Sequence, residues 1–85
     1  GLTIAGNAID DTGYYQMTSA TTVSEKLDAA SSSNYFHWDN NTRTLTLYGV
    51  TVGGNGIRFS GLRNLTIVLA EGSVNTVTTD TKMSV

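Results

Sequence analysis

Residues 35–78, with the sequence YFHWDNNTRTLTLYGVTVGGNGIRFSGLRNLTIVLAEGSVNTVT, decide the fold of this chain. Apolar and polar residues alternate within them, most clearly from Arg43 to Leu47 and from Leu65 to Leu69. Such alternation is typical of strands with one buried face, and the Asp-Asn-Asn and Gly-Gly-Asn-Gly clusters between the strands are turn formers. The stretch therefore predicts an all-β protein built from short strands.

The composition of the whole chain indicates the same class. Thr, Ser, Asn and Gly are abundant, proline is absent, and only 14% of the residues are charged, which favours strands and turns over helices. A chain of 85 residues forms one small domain, residues 1–85, and buries only about 60–65% of its unfolded surface. The pattern is clearest over residues 35–78, and we expect residues 79–85 to fray.

Charge and cysteine content exclude several kinds of site. The five Lys and Arg residues are scattered and the net charge is −2, so we expect no nucleic-acid partner. Because cysteine is absent, neither a disulfide nor a thiolate metal site can form. No apolar run reaches the roughly 20 residues that a membrane span requires. The first residue is Gly1, which is typical of a trimmed chain or of a removed signal peptide.

The first third of the chain has a weaker pattern. Residues 2–9 predict two short strands around a turn at Gly6-Asn7, and residues 14–18 predict a third strand. Asp10 and Asp11 belong to an acidic turn that we interpret as solvated. A calcium site is the alternative, although it would need about six oxygen ligands. Residues 24–30 predict a helical turn capped by Ser24, followed by a Ser-rich loop. The alternative here is a strand, which Thr21, Thr22 and Val23 favour.

A short sequence repeat predicts how the strands are arranged. Leu-Thr followed by Ile or Leu begins at Leu2, Leu45 and Leu65, with offsets of 43 and 20 residues. A unit of about 20–22 residues with glycine turns is typical of solenoids. We therefore predict a short parallel β-helix of about three to four coils, in which Leu45 stacks over Leu65 and Leu47 over Ile67. The alternative is a β-sandwich or β-roll.

One series of motifs resembles a family of bacterial surface proteins. It consists of Trp38-Asp39-x-x-Thr42-x-Thr44-Leu45-Thr46-Leu47-x-Gly49, then Gly56-Ile57, Leu65-Thr66-Ile67-x-Leu69, Gly72 and Asn75-Thr76-Val77. These proteins are common in gut Bacteroides and Clostridia, and some are labelled carbohydrate-binding domain-containing proteins. The resemblance covers about half of the chain and implies a right-handed parallel β-helix, exported and tethered or appended to a larger protein. It carries over no catalytic residue, and the two residues between Gly72 and Asn75 depart from its pattern.

The sequence contains few of the residue patterns that enzyme active sites require. His37 is the only histidine and no Gly-x-Ser-x-Gly elbow is present, so a Ser-His-acid triad is not expected. The seven Asp and Glu residues show no spacing that would bring two carboxylates together for glycoside hydrolysis. We therefore expect a protein that is not an enzyme and that has no cofactor.

A carbohydrate-binding surface is the most specific functional prediction. Aromatic rings stack on the apolar faces of sugar rings, and neighbouring polar side chains bind the hydroxyl groups. The predicted ligand-binding residues are Trp38, Tyr48, Tyr35, Arg43, Arg58 and Asn55, with Tyr14 and Tyr15 as further aromatic candidates. A small β domain needs its Trp and Phe in the core, so packing is the favoured role for Trp38 and Phe36 and ligand binding by Trp38 is the other.

We therefore predict a non-catalytic module of a bacterial cell-surface or secreted protein that binds a polysaccharide or glycan, with its signal peptide removed. The alternative is a structural spacer or assembly domain that forms homo-oligomers through its open coil ends. Uncapped ends expose unpaired strand edges and core residues, which favours such pairing. A fragment of a polysaccharide-acting enzyme is the third interpretation.

Overall fold

The protein is built from short β-strands joined by turns. The structure is a computed structural model, and it describes residues 1–79. Within this range the strands are β1 (Leu2–Ile4), β2 (Asn7–Ile9), β3 (Gly13–Ser19), β4 (Thr22–Val23), β5 (Tyr35–Asp39), β6 (Thr44–Tyr48), β7 (Thr51–Val52), β8 (Ile57–Phe59), β9 (Thr66–Leu69) and β10 (Thr76–Val77). The all-β class is confirmed. The fraying predicted for residues 79–85 lies, from residue 80 onward, outside the described residues.

The first sheet has β1 at its centre, with β2 and β8 antiparallel to it on either side. A tight turn joins β1 to β2 at Ala5 and Gly6, whose φ angles are 49° and 81°. The left-handed conformation strains Ala5, and its N–H donates to the carbonyl oxygen of Gly56 at 2.7 Å. The side-chain amide of Asn7 donates to the carbonyl oxygens of Ile4 and Ala5, at 3.0 and 3.2 Å. The Ala5 bond holds the turn against the chain segment before β8, and the two Asn7 bonds are made within the turn.

The second sheet has five strands in the order β4-β3-β5-β6-β9. Its first three pairings are antiparallel, and the pairing of β6 with β9 is parallel. Asp39 shapes the hairpin between β5 and β6, because its Oδ1 accepts the backbone N–H groups of Asn41 at 2.9 Å and Thr42 at 3.2 Å. Alternate side chains of the central strands are buried on one face and half-buried on the other, as period-two strands require.

The last two strands, β9 and β10, run alongside β6 and β7 in the same direction. β9 lies parallel to β6, and β10 lies parallel to β7 in a separate two-stranded sheet. We call β9, β10 and the turn between them, residues 66–77, the outer layer. It lies beside β6 and β7 as a further row of backbone.

The apolar faces of the sheets share one core. Among residues 1–79 its members are Leu2, Ile4, Ile9, Tyr15, Met17, Phe36, Trp38, Leu45, Leu47, Val50 and Val52. Trp38 is the largest of them, and its ring centroid lies 6.0 Å from that of Phe59 at the rim of the core. The outer layer contributes no residue to this core.

The parallel β-helix predicted from the repeat is wrong. In a solenoid each coil runs parallel to the next, whereas here β3, β5 and β6 are antiparallel neighbours in an open sheet. The physical reason is the hairpin at Asp39, which reverses the chain where a solenoid would place a corner. The alternative of a β-sandwich or β-roll does not describe the protein either, because the described strands form three small sheets of three, two and five strands with both parallel and antiparallel pairing.

The repeat is reproduced structurally only between β6 and β9, and in another register. Leu45 pairs with Ile67 and Leu47 with Leu69, which is an offset of 22 residues rather than 20. Leu65 precedes the strand, so the predicted stackings of Leu45 over Leu65 and of Leu47 over Ile67 are both wrong. The first copy of the repeat forms β1, which lies in the three-stranded sheet and is antiparallel to both of its neighbours there.

The helical turn predicted for residues 24–30 is also wrong. The N–H of Ser24 donates to the carbonyl oxygen of Gln16, and the N–H of Leu27 donates to that of Tyr14, both at 2.8 Å. The segment therefore follows the edge of β3 in an extended conformation. A helix of about two turns is marginal in isolation, so pairing with a neighbouring strand outweighs its propensity.

Candidate functional site

The predicted ligand-binding residues do not converge on one site. Trp38 is 1% exposed in the core, so neither face of its indole ring is open to a ligand. Tyr35 and Tyr48 lie half-buried on the opposite face of the same sheet. Arg43 lies in the turn before β6, where its Nη1 donates to the carbonyl oxygen of Asn41 at 3.2 Å. The remaining two residues border a groove on the first sheet.

Four aromatic side chains form a cluster on the outer face of the five-stranded sheet. We call Tyr14, Tyr35, His37 and Tyr48 the tyrosine cluster. The rings of Tyr35 and Tyr48 stack with centroids 4.5 Å apart and planes 5° apart, because these residues are opposite each other in β5 and β6. The Tyr14 ring lies 6.1 Å from Tyr35 and 4.6 Å from His37. Burial raises the pKa of Tyr48, with smaller contributions from Tyr14 and Tyr35, so its hydroxyl is protonated at neutral pH.

A shallow groove of about 680 Å³ lies beside β1 and β8 and includes Asn55, Arg58 and Phe59 in its lining. It brings together the two remaining predicted residues, Asn55 and Arg58. Arg58 is exposed and Phe59 is half-buried next to it. The groove offers one guanidinium, one amide and one ring, and the tyrosine cluster is not part of its lining.

The acidic residues take structural roles where the structure gives them partners. Hydrogen bonds from the backbone N–H groups of Thr42 and Asn41 lower the pKa of Asp39. Burial raises the pKa of Tyr15, whose hydroxyl donates to the backbone carbonyl of Asp11 at 2.6 Å.

Within residues 1–79, no three His, Asp or Glu side chains group as a metal site. The same residues include no helix long and apolar enough to cross a membrane.

The outer layer leaves large apolar side chains uncovered. Ile67 and Leu69 continue, in register, the buried row of Leu45 and Leu47 on β6. They are nevertheless 47% and 62% exposed. Val77 on β10 is 44% exposed, although its partner on β7 is buried. The face that is core in one strand is therefore open surface in the next.

Within residues 1–79 no strand pairs with the outer side of β9, so β9 is an edge strand of its sheet. The N–H groups of Thr66 and Ala70 donate toward β6, each at 2.9 Å. In a parallel ladder, alternate residues direct both backbone groups to the same neighbour. Val68 therefore also faces β6, whereas Ile67 and Leu69 direct their N–H and C=O groups to the open edge.

The two edges of the five-stranded sheet differ in how they are protected. The edge strand β4 has only two residues, and its register with β3 shifts between Met17 and Ser19. Short strands and bulges are devices that prevent edge-to-edge association. β9 has four residues in regular register with β6, and the sequence from Leu65 to Ala70 contains no charge and no proline. The β9 edge is therefore open to strand addition.

Asn75 fastens the outer layer to the strands beside it. Its Oδ1 accepts the backbone N–H groups of Gly49 and Val50, both at 2.8 Å. Its Nδ2 donates to Ser73 Oγ at 2.8 Å, and that hydroxyl donates to the carbonyl oxygen of Ala70 at 2.6 Å. This chain of bonds positions the turn between β9 and β10.

The sequence did not predict that Ile67, Leu69 and Val77 are surface residues. Alternation reports which face a side chain occupies, and it is the same whether that face is covered or open. One feature of the sequence did indicate an interaction surface, namely the absence of charge and proline from Leu65 to Ala70. An edge strand that stays in contact with water usually carries one of them.

Comparison of the chain with protein-family models, with curated proteins and with solved structures finds no match. The resemblance of residues 35–78 to bacterial surface proteins therefore stays a prediction. The geometry of the outer layer and of the tyrosine cluster carries the functional proposals.

Proposed function

We propose that this chain is a non-catalytic assembly module that associates with further copies of itself through its outer layer. The observation that carries the proposal is the exposure of Ile67 and Leu69, which continue a buried row of the core. Contiguous apolar surface on a small protein is typical of an interaction site. An exported bacterial surface protein is the setting that the sequence resemblance implies for such a module.

The backbone of β9 supports the same proposal. Its open edge presents unpaired N–H and C=O groups, and these groups are a template for pairing with another strand. Strand addition would satisfy these backbone groups and bring the apolar side chains into contact with those of the added strand. The opposite edge, at β4, is short and irregular, so association through the outer layer is favoured over association at the other side.

Sedimentation velocity over a range of concentrations tests this function. An interface built on one four-residue strand belongs to the small, weak class, so we expect association between about 10 μM and 1 mM. Leu69→Lys should abolish it, because a charge would replace an apolar side chain in the interface. Leu62→Lys is the matched control, since Leu62 is fully exposed and lies outside the outer layer. A wild-type monomer throughout, or equal association of both variants, would reject the proposal.

Carbohydrate binding at the tyrosine cluster is a second candidate function. It is favoured by the position of Tyr14, Tyr35 and Tyr48 on the outer face, where their rings are not needed in the core. Half-exposed rings bordered by hydroxyl groups suit the apolar faces of sugars. A glycan array with the wild-type protein and with Tyr14→Ala tests this, and Tyr14→Phe is the control that keeps the ring. Equal retention by the Ala variant, or no retained glycan at all, would exclude it.

A further inference from the structure

We propose that two copies join edge to edge, with β9 of one copy antiparallel to β9 of the other about a two-fold axis at Val68. This inference rests on the proposed function, because it requires the outer layer to be the assembly surface. It adds that the assembly is a closed dimer in one register. An open-ended stack of copies is the arrangement that it excludes.

The backbone of β9 is its own complement in this register. Ile67 and Leu69 direct their N–H and C=O groups outward, whereas Thr66 and Ala70 are bonded toward β6. When Ile67 of one copy lies opposite Leu69 of the other, the two residues exchange both backbone hydrogen bonds. The two-fold axis repeats the exchange at the other end of the strand. Every outward group of these two residues then has a partner.

The side chains restrict the register further. A two-fold axis perpendicular to the sheet keeps each side chain on its own face, and directly opposite residues in antiparallel strands share a face. Ile67 can therefore lie opposite Leu69 but not opposite Val68. In the proposed register the two open apolar rows meet beneath the joined sheet, and Val68 meets Val68 of the second copy on the other face. A shift by one residue would separate the apolar rows.

The charges that flank β9 favour antiparallel over parallel pairing. Arg63 precedes the strand and Glu71 follows it, and both are exposed. Antiparallel pairing brings Arg63 of each copy to the same end as Glu71 of the other, so opposite charges are neighbours. Parallel pairing would bring like charges together, which is unfavourable.

The shape of the other edge favours a closed pair. An open-ended stack requires β9 of one copy to pair with a different edge of the next. The available edge of the same sheet is β4, which has two residues and an irregular register. A two-fold pair uses the regular β9 edge on both sides, so it makes the more extensive ladder.

Single cysteine variants test the register, because the chain has no cysteine of its own. In this dimer Val68 and its copy form a non-hydrogen-bonded pair with Cα atoms about 4.5 Å apart, within the range for a disulfide. Thr66→Cys is the matched control on the same exposed face, where the copies would be roughly 13 Å apart. Under mild oxidation at fixed concentration we expect Val68→Cys to form dimer at least about ten times faster. Equal rates, or faster dimerisation of Thr66→Cys, would overturn the register.

A charge exchange gives an independent measurement that uses no disulfide. Arg63→Glu and Glu71→Arg should each weaken the dimer by up to about fivefold at low salt, and the double variant should recover wild-type affinity. Absence of recovery would overturn the antiparallel arrangement. The outcomes separate the two proposals. If the wild-type protein associates and Leu69→Lys abolishes the association, but Val68→Cys does not cross-link preferentially, the register is overturned and the assembly function stands. If the wild-type protein is a monomer throughout, both proposals are overturned.

Discussion

Replacing Asn75 with alanine tests how the outer layer is held in place. The substitution removes the oxygen that accepts the N–H groups of Gly49 and Val50, both at 2.8 Å. Each such bond stabilises a protein by about 0.5–1.5 kcal/mol net, and the corner is only partly buried, so we add no full desolvation penalty. The expected loss in the free energy of unfolding is about 2 kcal/mol. For a domain of this size, that corresponds to a fall in Tm of roughly 8–16 °C.

Thermal unfolding followed by circular dichroism measures this loss, and amide hydrogen exchange locates it. The amides of Gly49 and Val50 should lose protection in the Asn75→Ala variant. Asn75→Asp keeps an acceptor for both N–H groups, so it should lose less stability than the alanine variant at neutral pH. Asn41→Ala is the control, since Asn41 is exposed in the β5–β6 turn. A Tm equal to that of the control, with both amides still protected, would refute the role given to Asn75.

Three further outcomes follow from local geometry. Gly72→Ala should cost about 1–2 kcal/mol for its positive φ. Gly56→Ala should lower the free energy of unfolding by more, because the added Cβ would lie 3.2 Å from the backbone carbonyl oxygen of Thr78, whereas nothing lies within 4 Å at Gly72. Chemical denaturation measures both losses, and equal losses would contradict this crowding. Hydrogen bonds from the turn hold the pKa of Asp39 below its ordinary value. Its stabilising contribution is therefore present above that ordinary value and disappears as the pH falls through the lowered one. Asp39→Asn should weaken the acid dependence of stability, and an unchanged dependence would count against this role. A double-mutant cycle of Tyr35→Ala and Tyr48→Ala should give a coupling of about 0.5–1.5 kcal/mol, and strict additivity would show that the stack contributes nothing.

The strands were predictable from the sequence because their pattern is local. The strand–turn–strand unit over residues 35–47 is present as β5, the Asp39 turn and β6. What failed was the pairing of the strands. The same Leu-Thr-[Ile/Leu] pattern forms β1 in the three-stranded sheet and part of β6 in the five-stranded sheet. Alternation requires one covered face but does not specify the neighbour that covers it.

Part of the candidate site could have been corrected from the sequence alone. Tyr35 and Trp38 are three positions apart in one strand, and side chains with an odd separation point to opposite faces. They therefore cannot form one ligand platform, and the structure places Trp38 in the core.

Other contacts could not be predicted from any local sequence pattern. The side chain of Asn34 donates to the carbonyl oxygen of Met17 at 2.9 Å and accepts the N–H of Thr51 at 3.2 Å. Both partners are 17 residues away, beyond the reach of any periodic pattern.

The exposed row of the outer layer also determines how strongly the copies should associate. Burying an Ile or Leu side chain contributes about 1.5–3 kcal/mol, and Ile67 and Leu69 leave roughly half of that unrealised in the monomer because they are 47% and 62% exposed. A two-fold pair brings these side chains into contact across the joined edge, which recovers part of this energy, and it adds backbone hydrogen bonds of about 1 kcal/mol each. The loss of translational and rotational freedom costs about 4–15 kcal/mol, so most of this gain is offset. Free modules should therefore dimerise weakly. Modules held side by side on one surface should pair readily, since tethering supplies an effective concentration that reaches about the millimolar range.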